Sequence, residues 1–182
     1  LTLSRALSRR IMEYGAAHGL TPAAVLQGVY LLLVGQMARR NDVVIGTTRS
    51  GRSGVDQLED TAVGLFINTL PLRGRISVGE PVSGFLHGLQ QAQADQTAHE
   101  HMALHEVQLL AGQTGGPLFE ALFVSENYPV RLTGENFADG LRLSGVKAFD
   151  ATGYALALQA SGTDRVRLRL THELSRIDAP FA

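Results

Sequence analysis

The stretch Val63-Gly64-Leu65-Phe66-Ile67-Asn68-Thr69-Leu70-Pro71-Leu72-Arg73 predicts an apolar strand with one amide and one hydroxyl set into its middle. Alternation along a strand places Asn68 on one face, between Phe66 and Leu70. A buried amide without hydrogen bonds costs about 1–3 kcal/mol, so Asn68 must find partners. Either nearby backbone groups or a ligand could supply them, and the strand pattern does not choose between the two.

The composition indicates a globular protein of one domain, or one large lobe of a bigger domain. The chain has 182 residues, of which 45% are hydrophobic, and can bury a substantial core. Its 16 basic and 17 acidic residues leave a net charge of −1, so no overall field attracts nucleic acid or an anionic membrane. The absence of cysteine excludes disulfides, a thiol nucleophile and thiolate metal sites.

The first third of the chain predicts two helices and a strand. Apolar residues recur at helical spacing over residues 3–14, and Gly19 marks the end of that helix. Thr21-Pro22 predicts the N-cap and first position of a second helix that runs to Arg39-Arg40. This helix is apolar but too short for a bilayer, which needs about 20 residues, so we expect it to be buried. Residues 42–48 are rich in β-branched side chains and predict an interior strand.

The rest of the chain predicts helices, a buried strand and a hairpin. Pro81 starts a helix with a buried apolar stripe, and residues 103–110 form a second, short helix. Residues 118–124 predict a buried strand, whereas residues 130–141 are irregular and residues 141–146 alternate like a strand. Residues 154–159 and 165–171 flank a turn and predict an antiparallel hairpin. In its second strand we expect Val166, Leu168 and Leu170 to face in and Arg165, Arg167 and Arg169 to face out.

Few residues suggest chemistry by themselves. His101 and His105 lie four apart and could bind zinc, but Met102 stands where a zinc-protease motif requires glutamate. A solvated polar turn over His99, Glu100 and His101 is the simpler interpretation, and we expect no metal site. Residues 49–54 could form an anion-binding nest or a flexible surface loop. The outward arginines of the hairpin could be solvated, or could contact a carrier protein, a phosphate or a neighbouring lobe.

Motifs of several enzyme classes are missing. The sequence has no G-x-S-x-G elbow, no G-x-x-x-x-G-K-[ST] loop and no G-x-G-x-x-G turn opening a helix. Hydrolase, nucleotide triphosphatase and dinucleotide-enzyme interpretations therefore lose their main support.

Four segments, in this order and at this spacing, resemble the C-terminal half of a nonribosomal peptide synthetase condensation domain. They are D-V-V-I-G-T-T-R-S-G-R at residues 42–52, V-G-L-F-I-N-T-L-P-L-R at residues 63–73, H-E-H-M-A-L-H-E at residues 99–106, and residues 118–129. Such domains are pseudo-dimers of two lobes related to chloramphenicol acetyltransferase. The resemblance implies that residues 1–182 form a single α/β lobe of the CoA-dependent acyltransferase type. A mixed sheet backed by helices and a C-terminal antiparallel hairpin are expected, with the N-terminal lobe and the last helix lying outside the sequence.

The resemblance also implies a function. Condensation domains join a carrier-bound acyl or peptidyl thioester to a carrier-bound aminoacyl thioester, in the cytoplasm, during antibiotic or siderophore biosynthesis. Their H-H-x-x-x-D-G motif belongs to the N-terminal lobe, and this chain has no adjacent histidine pair. We therefore expect no catalytic residue here and no activity of the chain alone. Two alternatives stay open: a non-catalytic carrier-docking module, and a free-standing CoA-dependent acyltransferase, for which a catalytic histidine is not evident.

The resemblance implies that the site is half of the tunnel between the lobes, and that this lobe shapes its acceptor side. The expected floor loop is Ser50, Gly51 and Arg52, and a latch that crosses to the other lobe is expected within residues 128–151. Without that lobe, residues 128–141 should be poorly held.

No cofactor or metal is expected to bind directly. The implied partners are the N-terminal lobe, an adjacent adenylation domain, and donor and acceptor carrier proteins with their 4'-phosphopantetheine arms, whereas nucleic acid and membrane are not expected. The expected tunnel residues are Gly64, Phe66, Asn68, Thr69, Ser125 and Asn127.

Overall fold

The computed structural model describes residues 1–52, 63–113, 115–126, 152–162 and 164–177. Two helices come first, each capped by a hydroxyl. In α1 (Arg5–Ala17), Ser4 Oγ accepts a hydrogen bond from the Leu7 amide at 3.2 Å. In α2 (Pro22–Ala38), Thr21 Oγ1 accepts from the Ala24 amide at 3.1 Å, which confirms the predicted N-cap.

The remaining described elements are two strands, two helices separated by a 3-10 turn, and three further strands. In chain order they are β1 (Asp42–Arg49), β2 (Asn68–Arg75), α3 (Val82–Gln96), a 3-10 turn (Thr97–His99), α4 (Leu104–Leu110), β3 (Ala121–Glu126), β4 (Leu156–Ser161) and β5 (Arg167–His172). Among the described helices, none alone is both long and apolar enough to cross a bilayer, and only α1 and α2, bent by 107° at their junction, satisfy that test as a pair.

The strands form one mixed sheet in the order β2-β1-β3-β4-β5. The neighbours β1, β3 and β4 are parallel, whereas β2 and β5 run antiparallel to them on either side. The pair β4–β5 confirms the predicted C-terminal hairpin. Because β1, β3 and β4 run in the same direction, their carboxyl ends lie at one edge of the sheet, which is also where β2 and β5 begin. We call this the carboxyl edge.

The helices cover one face of the sheet and bury the core against it. Ile45, Leu72 and Phe123 from three strands pack with Tyr30 and Leu31 of α2 in one hydrophobic cluster. The Tyr30 hydroxyl donates to the Leu156 carbonyl at 3.2 Å, and burial raises the pKa of that hydroxyl. The predicted alternation in β5 is also confirmed, since Val166 is buried while Arg165, Arg167 and Arg169 are exposed.

The strand predicted over residues 63–73 starts later than expected. The ladder between β1 and β2 closes with Arg49 opposite Asn68, because β1 ends at Arg49. Within the described ranges, residues 63–67 pair with no strand, and the side chains of Val63 and Leu65 are fully exposed. The predictions for Asn127 and for residues 128–141, 141–146 and 128–151 lie outside the described residues.

Candidate functional site

The predicted floor and tunnel residues that the structure describes lie at the carboxyl edge of the sheet. Ser50 directly follows the end of β1, Asn68 opens β2, and Ser125 lies near the end of β3. These positions meet because β1 and β3 are parallel and β2 returns antiparallel to β1. The candidate site therefore draws on segments far apart in sequence.

Asn68 uses its side-chain amide on the backbone of a neighbouring turn. Its Nδ2 donates to the carbonyl oxygens of Glu100 at 2.8 Å and Met102 at 2.6 Å, and its Oδ1 accepts from the Thr69 amide at 2.9 Å. Of the two partners that the sequence left open, the backbone is the one observed. Asn68 thus ties the start of β2 to the turn between α3 and α4.

A buried ion pair lies beside Asn68, and sequence reasoning missed it. Arg49 donates from Nε to Glu100 Oε1 at 2.8 Å, and its Nη2 lies 2.7 Å from the same oxygen. The same Nη2 reaches Thr97 Oγ1 at 3.2 Å and the Gln93 carbonyl at 3.3 Å. Glu100 is only 3% exposed, so the prediction of a solvated turn is wrong for Glu100, whereas His99 and His101 on either side are exposed.

The floor loop packs tightly against Phe66. Gly51 has a positive φ of 65°, and a Cβ at this position would lie 1.8 Å from the Phe66 carbonyl oxygen, so the loop requires glycine there. The Arg52 guanidinium stacks over the Phe66 ring, 4.5 Å from its centroid. Arg49, which the nest hypothesis included, is engaged by Glu100 and does not point into the loop. Gly64 lies near the same ring, since a Cβ there would approach Phe66 Cε2 to 3.2 Å.

Thr69 lies on the opposite face of the sheet from Asn68, as strand alternation predicts. There it hydrogen-bonds with Tyr154, whose ring stacks on Phe119 with centroids 5.5 Å apart. Burial raises the pKa of the Tyr154 hydroxyl, and the hydrogen bond with Thr69 acts in the opposite direction. Phe119 in turn covers Gly46, where an added Cβ would come within 2.2 Å of the ring. This aromatic pair joins β2 to the chain before β3 and β4.

Ser125 lines a cavity that Asn68 does not reach. The cavity has a volume of about 410 Å³ and lies between the second half of α1, the start of α2 and the carboxyl ends of β3 and β4. Its described lining combines apolar and polar side chains, and includes Met12, Thr21, Pro22, Leu26, Ser125, Glu126 and Ser161. Glu126 Oε1 also accepts a hydrogen bond from Gln159 Nε2. The predicted tunnel residues that the structure describes are therefore in two groups along the carboxyl edge: Ser125 lines the cavity, and the others lie around Asn68.

The two histidines considered as zinc ligands, His101 and His105, are both exposed. His101 precedes α4 and His105 lies within it. In the described ranges, no group of three or more histidine, cysteine, aspartate or glutamate side chains could hold a metal ion.

A family model and several much longer synthases match this chain. The condensation-domain family model matches residues 1–174. A linear gramicidin synthase from Brevibacillus parabrevis is 34% identical over 181 residues, which cover 99% of this chain and 4% of that protein. Surfactin synthase subunit 3 from Bacillus subtilis (strain 168) is 29% identical over 182 residues, covering 99% of this chain and 14% of that protein.

Solved structures agree on the fold. The first condensation domain of the CDA synthetase superposes with a TM-score of 0.74 at 17% identity, covering 99% of this chain and 40% of that chain. A four-domain nonribosomal peptide synthetase bound to AMP and glycine gives a TM-score of 0.81 at 17% identity, covering 98% of this chain and 15% of that chain. The chain thus spans less than half of each of these proteins.

Proposed function

Because this chain belongs to the condensation-domain family of nonribosomal peptide synthetases, we propose that residues 1–182 are the C-terminal lobe of such a domain. Paired with an N-terminal lobe, it serves peptide-bond formation between a carrier-bound acyl or peptidyl thioester and a carrier-bound aminoacyl thioester. The reaction takes place in the cytoplasm. Its partners are the other lobe, the donor and acceptor carrier proteins and an adjacent adenylation domain.

The observation that carries this proposal is the tightly packed wall at the carboxyl edge. Gly51 lies against the Phe66 carbonyl, Arg52 lies on the Phe66 ring, and Asn68 ties the same segment to the turn at Glu100 and Met102. A wall held by backbone contacts suits a reaction whose rate depends on alignment of two reactants. Well-aligned reactants gain as much as about 10⁵–10⁸ M in effective concentration.

The chemistry needs little from this lobe beyond alignment. The acceptor amine attacks the thioester carbonyl carbon, the new amide bond forms, and the donor thiol leaves as the amine gives up a proton. A histidine of the H-H-x-x-x-D-G motif in the N-terminal lobe handles that proton or orients the amine. His101 and His105 are exposed, and we assign them no catalytic role.

The cavity beside Ser125 is the proposed path of a phosphopantetheine arm, which is part of the carrier-bound substrate. Met12, Pro22 and Leu26 offer apolar contacts to methylene groups, and the Ser125 and Ser161 hydroxyls can bond to amide groups. Asn127, the next predicted tunnel residue, follows Ser125 by two positions in the sequence and lies outside the described residues.

The test uses donor and acceptor carrier proteins loaded with their thioesters. Dipeptide should form when this chain is combined with the N-terminal lobe, and none should form with this chain alone. The alternatives give other results. Dipeptide from the chain alone would show a catalytic residue within it. No dipeptide with both lobes, together with saturable binding of a carrier protein to this chain, would favour a carrier-docking module.

A further inference from the structure

We propose that Arg49 and Glu100 form a positioning couple that sets the floor loop, and through it the size of the acceptor group that reacts. This inference rests on the proposed function. Neither residue belongs to the set of tunnel residues expected from the sequence, and both act through the loop and not on a substrate directly.

The couple connects the end of β1 to the turn between α3 and α4, a turn that Asn68 of β2 also contacts. Arg49 is the last residue of β1, and its cross-strand neighbour is Asn68. Both side chains point to the same turn: Arg49 binds the carboxylate of Glu100, and Asn68 binds the carbonyls of Glu100 and Met102. The end of the ladder is thereby tied to the turn between α3 and α4 by side chains on two adjacent positions.

The geometry favours orientation over stability as the role of this pair. Both contacts from Arg49 reach Glu100 Oε1, whereas the buried Oε2 has no hydrogen-bond partner in the described part of the chain. A buried ion pair with an unsatisfied oxygen is often no more stabilising than apolar side chains of the same size. What apolar residues would not supply is the direction of the Arg49 side chain, which also holds Thr97 and the Gln93 carbonyl.

A change at Arg49 reaches the floor loop directly. Ser50 is the next residue, and the close approach of Gly51 to the Phe66 carbonyl leaves the loop little room to adjust by itself. The loop, Phe66 and Asn68 therefore move together with the end of β1. A shift of this wall alters the space for the acceptor side chain, and misplacement of reacting groups by about 1 Å can cost about a hundredfold in rate.

The experiment compares two acceptors in one reaction containing both lobes, one carrier loaded with glycine and one with phenylalanine. The ratio of the two dipeptides reports the ratio of kcat/KM values, which does not depend on the folded fraction of enzyme. Replacing the pair by apolar residues, Arg49→Met with Glu100→Leu, should change this ratio about tenfold. Arg49→Lys, which keeps the charge but loses the planar fork that also reaches Thr97 and the Gln93 carbonyl, should change the ratio by less than the double variant does.

The matched control is the exposed pair of Asp42 on β1 and Arg73 on β2, toward the opposite end of the β1–β2 ladder. Asp42→Asn with Arg73→Gln should leave the dipeptide ratio unchanged. The proposal would be refuted if the dipeptide ratio were unchanged in the apolar double variant, or if the control changed the ratio as much as that variant does. If the double variant does not fold, Glu100→Gln is used in its place. The ratio of the two dipeptides should then change about threefold, and an unchanged ratio would contradict the proposal. Absence of both dipeptides with the unmodified lobes would instead refute the proposed function.

Discussion

The two ends of the β1–β2 ladder each carry an arginine–carboxylate pair, but in opposite surroundings. At the outer end, Arg73 donates to Asp42 from Nε at 2.7 Å and from Nη2 at 2.6 Å, with side chains 56% and 47% exposed. At the carboxyl edge, the Arg49 and Glu100 side chains are 20% and 4% exposed. The outer pair has the better fork geometry, and the inner pair has the greater burial.

This difference shows that geometry and energetic importance need not go together. Water and salt screen the outer pair, so its loss is easily tolerated. The inner pair is shielded, and removing one partner leaves a charge that water can reach only in part. Only the inner end adjoins the floor loop, so we expect the proposed function to depend on that end of the ladder alone.

The largest expected effect is the loss of the Glu100 carboxylate. Glu100→Ala leaves the half-buried Arg49 guanidinium without its counter-charge, and removing one partner of a buried pair costs about 3–5 kcal/mol. Urea unfolding, with the midpoint and slope fitted separately, measures this loss. Asp42→Ala is the matched variant. Equal losses for the two alanine variants would show that burial does not distinguish the two ends.

A smaller loss is expected from Asn68→Ala. The amide holds the Glu100 and Met102 carbonyls, and unsatisfied buried polar groups cost about 1–3 kcal/mol. The fold should remain, while dipeptide formation by the two-lobed domain falls because the floor loses its link to the turn. Asn68→Asp should be worse than Asn68→Ala, since a carboxylate cannot donate to the carbonyls. A folded Asn68→Ala domain with an unchanged condensation rate would remove Asn68 from the site.

Local features of the fold were predictable from the sequence because their causes are local. Thr21-Pro22 predicts the start of α2 from neighbouring residues alone, and its cap is observed. The alternation in β5 likewise follows from the sequence of that strand. The start of β2 at Asn68 was not predictable, since it depends on where β1 ends. Residues 63–67 are apolar enough for a strand and lack only a partner among the described residues.

The candidate site was predictable only in part, for the same reason. Asn68 stands out as an amide between apolar neighbours, but its acceptors lie at residues 100 and 102. Glu100 lies between two exposed histidines, and its partner is 51 residues away. Nothing in the local pattern marks it as buried. Tyr154 gave no signal either, because its contacts with Thr69 and Phe119 come from other segments.

The smallest expected effect concerns the outer pair and its pH dependence. The hydrogen bond from Arg73, with the charges of Arg73 and Arg75, lowers the pKa of Asp42 below its ordinary value. A lowered folded-state pKa adds stability that is present above the unfolded value, about 3.9, and lost as the pH falls through the folded value.

Asp42→Asn should therefore lower the melting temperature at neutral pH, but only slightly because the pair is exposed, and by less still in about 1 M salt. Below pH of about 4, the unmodified chain should lose stability more steeply than Asp42→Asn, because only the unmodified chain then takes up a proton at this position. Thermal melts across this acid range, with Arg73→Gln as a second variant that removes the same interaction, measure the difference. If the melting temperatures of the unmodified chain and Asp42→Asn fall in parallel as the pH is lowered, Arg73 does not stabilise the Asp42 carboxylate in solution. Only the Arg49–Glu100 pair would then contribute to the difference between the two ends of the ladder.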